Sequence, residues 1–216
     1  MRVVEKFVSI NGEGIRQGQL SVFIRFAFCN LRCIYCDTLY SLINPNYEEE
    51  SIDKLIEYIL STGVKNVTLT GGEPLIQPEI GKLLEKLSDL NLNVEIETNG
   101  SISILPFKNI KNIAFTLDYK TPYSKEETKM DLTNYNYVTK NDAVKFVCGD
   151  MNDLIRSKEI IYKYNLQNKT NCIFSPVFGT IELAEIVNFL KENTLNDIRL
   201  QLQIHKFIWD KNKRGV

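Results

Sequence analysis

The sequence predicts an α/β fold in which a mostly parallel sheet curves into an incomplete (β/α)6-type partial barrel. Apolar strand-like segments alternate with amphipathic helical segments along the chain, which favours βαβ units. Two connections, 101–111 and 121–141, lack a helical pattern, so we expect some crossover helices to be shortened or missing. No linker or internal repeat divides the 216 residues, and we therefore expect one domain, 1–216.

Composition and charge fit a globular protein without an affinity for polyanions. The chain is 44% hydrophobic and 25% charged, which is ordinary for a soluble domain, and its net charge is −1. Such a small charge gives no field that would attract nucleic acid or a membrane surface. No apolar run reaches the length of a membrane span, and the first residues do not resemble a signal peptide, so we expect a cytoplasmic protein.

The first two strands are predicted to form a hairpin. Segment 1–10 reads as a strand and is broken by 11–14, where two glycines in four residues allow a tight turn. Segment 20–28 is strongly apolar except for Ser21 and Arg25. A cation in such a strand must be paired or must bind an anion. We favour ligand binding over a structural ion pair for Arg25, because a guanidinium matches a carboxylate.

Hydrophobic spacing and capping residues predict the remaining elements. Segment 39–50 is polar and carries Asn44-Pro45-Asn46, which indicates a loop. Ser51 is a suitable N-cap for a helix that ends at Gly63. Further helices are predicted at 79–90, 152–164 and 180–191, and further strands at 66–70, 93–97, 112–117, 143–148, 170–174 and 197–204.

Three cysteines follow the second strand in the spacing C-x3-C-x2-C, at Cys29, Cys33 and Cys36. Thiolates are soft ligands that suit zinc or an iron–sulfur cluster. Three thiolates would leave one iron of a four-iron cluster open for another ligand, whereas zinc would need a fourth protein ligand. The single histidine is distant in sequence and no second cysteine pair exists, so we favour the cluster. Cys148 and Cys172 are expected to be small core residues.

Polar residues also follow the later strands, where a parallel barrel places its ligand site. Each of these features alone could be a turn, a cap or a surface group, but their joint placement favours a single site. The last predicted strand carries a polar face that ends in His205, for which we favour a ligand contact over a structural role. The features at successive strand ends are Gly71-Gly72-Glu73-Pro74, Glu97 with Glu95 on the same face, Asp118-Tyr119-Lys120 and Ser175-Pro176.

The cysteine spacing, with an aromatic residue before the third cysteine, resembles the cluster loop of the radical S-adenosylmethionine (SAM) superfamily. The resemblance implies a partial barrel of the radical SAM kind and a [4Fe–4S] cluster held by Cys29, Cys33 and Cys36. It also implies that SAM binds the open iron and is cleaved to a 5′-deoxyadenosyl radical. The residues that the resemblance places near SAM are Tyr35, Asp37, Gly71, Gly72, Glu73, Glu97, Asp118, Tyr119, Lys120, Ser175 and Phe178.

Longer segments resemble one family within that superfamily, the 7-carboxy-7-deazaguanine synthases; these segments are 9–14, 23–25, 36–38, 203–209 and 214–216. The resemblance implies conversion of 6-carboxy-5,6,7,8-tetrahydropterin to 7-carboxy-7-deazaguanine, by hydrogen abstraction from C6, ring contraction and loss of ammonia, in the pathway to queuosine. It implies Mg²⁺ at Thr38 and substrate contacts at Ile10, Asn11, Gly12, Glu13, Arg25, Thr70, His205 and Val216. One departure is Asn11, where many members carry glutamine.

The resemblance further implies an electron donor such as flavodoxin or ferredoxin, and a homodimer. Two rival functions remain open on the sequence. A glycyl-radical-enzyme activase would use the same SAM chemistry on a protein partner, but the polar last strand favours a small enclosed substrate. A non-enzymatic cluster or zinc protein would leave the segments 71–74 and 97–100 without a role.

Overall fold

The computed structural model describes residues 1–210 and 213–216, and nine strands in this part of the chain form a single sheet. The order across the sheet is β3-β1-β2-β4-β5-β6-β7-β8-β9. From β2 through β4 to β9 each strand is parallel to the next one across the sheet, whereas β1 pairs antiparallel with both β2 and β3. The sheet is open, which confirms the predicted incomplete barrel. The strands are β1 Arg2–Ile10, β2 Leu20–Phe26, β3 Glu48–Glu49, β4 Asn66–Gly71, β5 Asn93–Thr98, β6 Ile113–Tyr119, β7 Ala143–Cys148, β8 Asn171–Pro176 and β9 Ile198–Leu200.

The helices begin where a side chain can satisfy their first free backbone N–H groups. The Ser51 hydroxyl accepts a hydrogen bond from Lys54 N at 3.3 Å, as predicted for an N-cap. A capping box between Glu182 and Glu185 starts α5 three residues later than the sequence pattern suggested. The helices are α1 Ile52–Ser61, α2 Ile80–Asp89, α3 Met151–Lys163, α4 Leu166–Lys169, α5 Leu183–Glu192 and α6 His205–Ile208.

Two crossover connections lack an α-helix, as predicted. Between β5 and β6 the chain forms only a 3₁₀ turn at Leu105–Phe107. Between β6 and β7 it forms three short 3₁₀ helices, at Pro122–Ser124, Glu127–Lys129 and Leu132–Asn136. The chain therefore covers this part of the sheet with compact turns.

The two faces of the sheet differ in polarity because successive side chains on a strand point to opposite sides. One face packs on the helices and is apolar; its buried residues include Ile24, Leu69, Ile96, Leu117 and Phe146. The other face carries polar side chains on the same strands, among them Arg25, Thr70, Glu97, Asp118 and Lys145. This polar inner face is the wall on which the site is built.

The last strand is shorter than predicted. We expected a strand over 197–204, but β9 ends at Leu200, and His205 begins the short helix α6. The strand ends because the following segment bonds to the β1–β2 loop. The side-chain amide of Gln201 accepts from Gly14 N and donates to Gly14 O, both at 2.8 Å, and Ile204 N donates to Gly12 O at 3.0 Å. The predicted alternating face from Arg199 to His205 was therefore wrong, although polar groups do gather there.

None of the helices in the described part of the chain has the length and apolar character needed to cross a bilayer.

Candidate active site

A cavity of about 460 Å³ lies at the carboxyl ends of the parallel strands. Strands β1, β2 and β4 to β8, or the loops that follow them, contribute to its wall, as does the C-terminal segment. The cavity therefore lies where the sequence predicted a single site. The predicted site residues that line it are Ile10, Gly12, Glu13, Arg25, Cys29, Cys33, Tyr35, Cys36, Asp37, Thr38, Thr70, Gly71, Gly72, Glu97, Asp118, Lys120, Phe178, His205 and Val216.

The three cysteines of the triplet are partly buried free thiols on one side of this cavity. The chain leaves β2 through Phe28, whose φ of 71° lies in the left-handed region and turns the loop sharply. The Cys29 sulfur accepts hydrogen bonds from Leu31 N and Asn99 Nδ2, both at 3.4 Å. Such N–H donors stabilise cluster-bound thiolate sulfur, so the donor set fits an iron–sulfur cluster. Burial raises the pKa of Cys29 and raises that of Cys33 to about 11.

Gly71, the last residue of β4, and Gly72 lie directly against the segment of chain that enters the cysteine loop. A Cβ on Gly72 would lie 1.8 Å from Phe28 O, and a Cβ on Gly71 would lie 2.3 Å from Phe26 O. Gly71 also has a φ of 124°, which side chains rarely tolerate. Only glycine fits at either position, so this part of the cavity wall is bare backbone beside the cysteines. Such a wall fits a ligand that must approach the cluster closely.

Glu73 lies behind this wall and does not line the cavity. Its carboxylate accepts hydrogen bonds from Leu75 N at 2.9 Å, Thr98 Oγ1 at 2.8 Å and Asn99 N at 2.7 Å. Complete burial raises its pKa to about 7, against the effect of these donors. Glu73 therefore joins the Gly-Gly segment to the end of β5.

Asp118, Lys120 and Tyr35 form a polar group beside the cysteines. Lys120 Nζ lies 2.8 Å from Asp118 Oδ2, and although burial opposes ionisation, neighbouring lysines hold the pKa of Asp118 below its usual value. The Tyr35 hydroxyl is buried and has no hydrogen-bond partner among the described residues, so it is free to bond a ligand. Tyr119 does not line the cavity: it lies on the helix-facing side of the sheet, with its hydroxyl donating to Glu127.

Ser175 and Asn11 are buried but lie outside the cavity lining. Ser175 stands on the inner face of β8. Asn11 Oδ1 accepts from Thr68 Oγ1 at 2.7 Å, so this side chain points toward neighbouring strands. The roles predicted for both, and for Glu73 and Tyr119, stay predictions, although only a backbone contact from Tyr119 is compatible with its orientation.

A second group of acidic and basic side chains lines the cavity. Arg25 Nε lies 2.6 Å from Glu5 Oε1, so the structural ion pair exists while the guanidinium also lines the cavity. Thr70 Oγ1 donates to Glu97 Oε2 at 2.7 Å. Burial raises the pKa of Glu97 to about 7. Glu13 Oε2 is buried without a partner among the described residues, so a ligand could use it.

His205 reaches the cavity across the β1–β2 loop. A Cβ on Gly12 would lie 1.8 Å from His205 Nδ1, so glycine is required for the imidazole to pack there. Burial lowers the pKa of His205, which favours the neutral imidazole at pH 7. The C-terminal Val216 closes the same side of the cavity.

Sequence reasoning missed Lys145, a lysine in the middle of the apolar strand β7. Its ammonium lies 2.5 Å from Glu13 Oε1 and 3.1 Å from Asp118 Oδ1. The pattern that singled out Arg25, a cation inside an apolar strand, applies equally to Lys145 and could have found it. Other lining residues that sequence reasoning did not single out as site residues are Glu5, Tyr40, Asn99, Lys206 and Arg214.

Thr38, the predicted Mg²⁺ position, lines the cavity, with its hydroxyl 3.6 Å from Cys36 Sγ. The adjacent Asp37 pairs with Lys206 at 2.8 Å. Within the described residues, no three His, Cys, Asp or Glu side chains converge on a single-ion position. The hydroxyl is a hard ligand that suits Mg²⁺, but a bound substrate would have to supply the other oxygen atoms that coordinate the ion.

Comparison with known proteins identifies relatives along the whole chain. The family model of the radical SAM superfamily matches residues 23–192. The 7-carboxy-7-deazaguanine synthase of Clostridium acetobutylicum is 55% identical over 218 residues, which cover 100% of this chain and 99% of that protein. The synthase of Leptospira interrogans is 35% identical and covers 99% of this chain and 97% of that protein.

A solved structure supports the fold. The crystal structure of QueE from Escherichia coli superposes with a TM-score of 0.70 at 18% identity, and the match covers 93% of this chain and 92% of that one. A radical SAM fold accounts for the open sheet, and the superfamily implies a [4Fe–4S] cluster and SAM as cofactors. Taking the residues, the fold and the full-length identity together, the chain belongs to the radical SAM superfamily and, within it, to the family of 7-carboxy-7-deazaguanine synthases.

Proposed function

We propose that the protein converts 6-carboxy-5,6,7,8-tetrahydropterin to 7-carboxy-7-deazaguanine, a step of queuosine biosynthesis. The observation that carries the proposal is that one cavity joins the three cysteine thiols to buried polar groups suited to a small planar acid. The relatives that match along the whole chain are named for this product.

Cys29, Cys33 and Cys36 would hold the [4Fe–4S] cluster, and the bare backbone at Gly71 and Gly72 leaves room for SAM beside it. The reduced cluster would supply the electron for cleavage of SAM, and SAM would in turn be the source of the radical for hydrogen abstraction from C6 of the pterin. Tyr35, Asp37, Glu97, the segment 118–120 and Phe178 are the proposed SAM contacts, with Glu73 supporting the glycines from behind. Ser175 is proposed as a SAM contact on the family resemblance alone, because the residue does not line the cavity.

The far side of the cavity would bind the pterin. The free oxygen of Glu13 can accept hydrogen bonds from the N–H groups on the edge of the ring. Arg25 and the neutral His205 can donate to the substrate carboxylate. Glu97, with a pKa raised to about 7 and held by Thr70, is also able to exchange a proton while ammonia leaves. Ile10, Gly12 and Val216 would shape the pocket, and Asn11 would act through its side-chain Nδ2, which is buried without a partner among the described residues.

Several parts of the proposal rest on the family resemblance. Thr38 would contribute its hydroxyl to Mg²⁺ together with the substrate. A flavodoxin or ferredoxin would deliver the electron, and the chain would act as a homodimer. Because three thiolates and a reduced cluster require a reducing compartment, we place the enzyme in the cytoplasm.

The test is turnover by the anaerobically reconstituted protein with carboxytetrahydropterin, SAM and a reductant. We expect at most one molecule of deazaguanine product for each molecule of pterin consumed. We also expect added Mg²⁺ to raise the rate of product formation. SAM cleavage without consumption of the pterin would contradict the proposal and would favour the activase. Protein that binds zinc tightly and no iron would contradict any radical chemistry.

A further inference from the structure

Lys145 is a buried cation with no assigned role. Its side chain is only 4% exposed, and its ammonium contacts carboxylates on two different elements. An ammonium taken out of water at such a position is expensive unless anions compensate it. A purely apolar residue would fill the middle of β7 at a lower cost, so the contacts that Lys145 makes need an explanation.

The ion pairs around the cavity show what Lys145 supplies. Three carboxylates of the cavity pair with a cation other than Lys145, although Asp118 also contacts Lys145; these pairs are Glu5 with Arg25, Asp37 with Lys206 and Asp118 with Lys120. Glu13 is paired with Lys145. Glu97 accepts a hydrogen bond from the neutral Thr70, and burial raises its pKa to about 7 although the charge of Lys145 acts in the opposite direction. Lys145 therefore provides the cation that pairs with the buried carboxylate of Glu13.

The geometry also orients Glu13. Lys145 occupies Oε1 at 2.5 Å, whereas Oε2 is buried and has no partner among the described residues. One oxygen is thus fixed by the protein and the other is left for a ligand. The same ammonium lies 3.1 Å from Asp118 Oδ1, and the second oxygen of Asp118 is bonded by Lys120. Lys145 stands between the group proposed to read the pterin and a group proposed to contact SAM.

From this arrangement we infer that Lys145 is a positioning residue for substrate recognition: it fixes one oxygen of Glu13 so that the other is aimed at the pterin ring, and it links Glu13 to Asp118 on the SAM side. The inference rests on the proposed function, because the pterin is its ligand. Lys145 does not touch the reacting atoms and acts through Glu13. Losing it would weaken pterin binding while leaving the three cysteines and the Gly71-Gly72 wall untouched.

The experiment measures the dissociation constant of the pterin for cluster-reconstituted, unreduced enzyme with SAM present, so that no turnover is required. Lys145→Met and Glu13→Gln are compared singly and together with the natural protein. Since each removes a hydrogen bond that involves a charged group, we expect each single variant to weaken binding by about 10- to 100-fold. The double variant should be no weaker than the worse single variant, because both act through one contact.

A matched control is Lys108→Met. Lys108 also pairs through a buried contact, with Asp142 at 2.6 Å, and its side chain is 16% exposed, but it does not line the cavity. This variant should lower stability without changing the pterin dissociation constant. The Lys145/Glu13 double variant removes both charges, so it remains informative if Lys145→Met alone leaves an unpaired carboxylate and unfolds.

Two outcomes would overturn the inference. Pterin affinity unchanged in Lys145→Met would show that the lysine serves stability alone. Additive losses in the double variant would show that Lys145 and Glu13 act independently. Failure of the proposed function looks different, because the natural protein itself would then not bind the pterin.

Discussion

The contact between Gly72 and the cysteine loop gives a sharp test of how the site is built. Substitution Gly72→Ala places a Cβ 1.8 Å from Phe28 O and 2.3 Å from Phe28 C. Both neighbours are backbone atoms, which no side-chain rotation can move. Since non-bonded carbon atoms need about 3.5 Å, the two segments must separate by about 1.5 Å.

The separation has a calculable cost. Overpacking in a rigid position costs about 1–3 kcal/mol. Two backbone hydrogen bonds join these segments, from Gly72 N to Phe26 O at 3.0 Å and from Glu73 N to Phe28 O at 2.8 Å, and both would lengthen. Each is worth about 1 kcal/mol, so we expect a total loss of about 3–5 kcal/mol. For a chain of this size that loss lowers Tm by about 6–20 °C.

The assay compares thermal unfolding, iron content and SAM binding of the natural protein and Gly72→Ala. We expect the variant to lose stability and to bind SAM at least about tenfold more weakly, because the wall beside the cysteines has moved. Gly81→Ala is the control. Gly81 lies in α2, where alanine favours the helix by about 1 kcal/mol, and the added Cβ would make an ordinary 3.6 Å contact with Phe107. Natural stability together with natural SAM affinity in Gly72→Ala would refute the reasoning.

Three further predictions address the cluster, the C-terminus and pH. Cys33→Ala should abolish iron–sulfur absorbance after reconstitution, whereas Cys172→Ala, a buried cysteine outside the cavity, should keep it; an intact spectrum in Cys33→Ala would exclude this thiol as a ligand. Removal of Gly215-Val216 should raise KM for the pterin and leave the cluster spectrum unchanged, and unchanged kinetics would exclude a role for the tail. Burial raises the pKa of Glu73 to about 7 from 4.5, so the folded protein keeps a proton that the unfolded chain releases between these values. Its free energy of unfolding should therefore fall as pH rises from 4.5 to 7, by at most about 3 kcal/mol, and urea titrations of Glu73→Gln should lack this contribution; parallel pH profiles of the two proteins would contradict the raised pKa.

The elements that depend on local sequence were predictable from the order of residues alone. Apolar spacing and caps located the long helices and most strands, because a helix and a strand bury side chains with different periods. The absence of helical spacing in 101–111 and 121–141 indicated the two connections that contain only 3₁₀ turns. The cysteine spacing and Gly71-Gly72 indicated the cluster side of the site, because each of these motifs consists of residues that are close together in the sequence.

Contacts between distant parts of the chain decided the rest. The strand predicted over 197–204 stops at Leu200, because Gln201 and Ile204 bond to the β1–β2 loop almost 190 residues earlier. Tyr119 was grouped with Asp118 from its place in the sequence, but strand alternation sends it to the helix-facing side. Lys145 is part of the site because the fold places Glu13 and Asp118 next to its ammonium group. The sequence by itself determined which groups could do the chemistry; only the tertiary structure decided which of them share a cavity, because burial and pairing of a charge depend on partners that sequence order does not reveal.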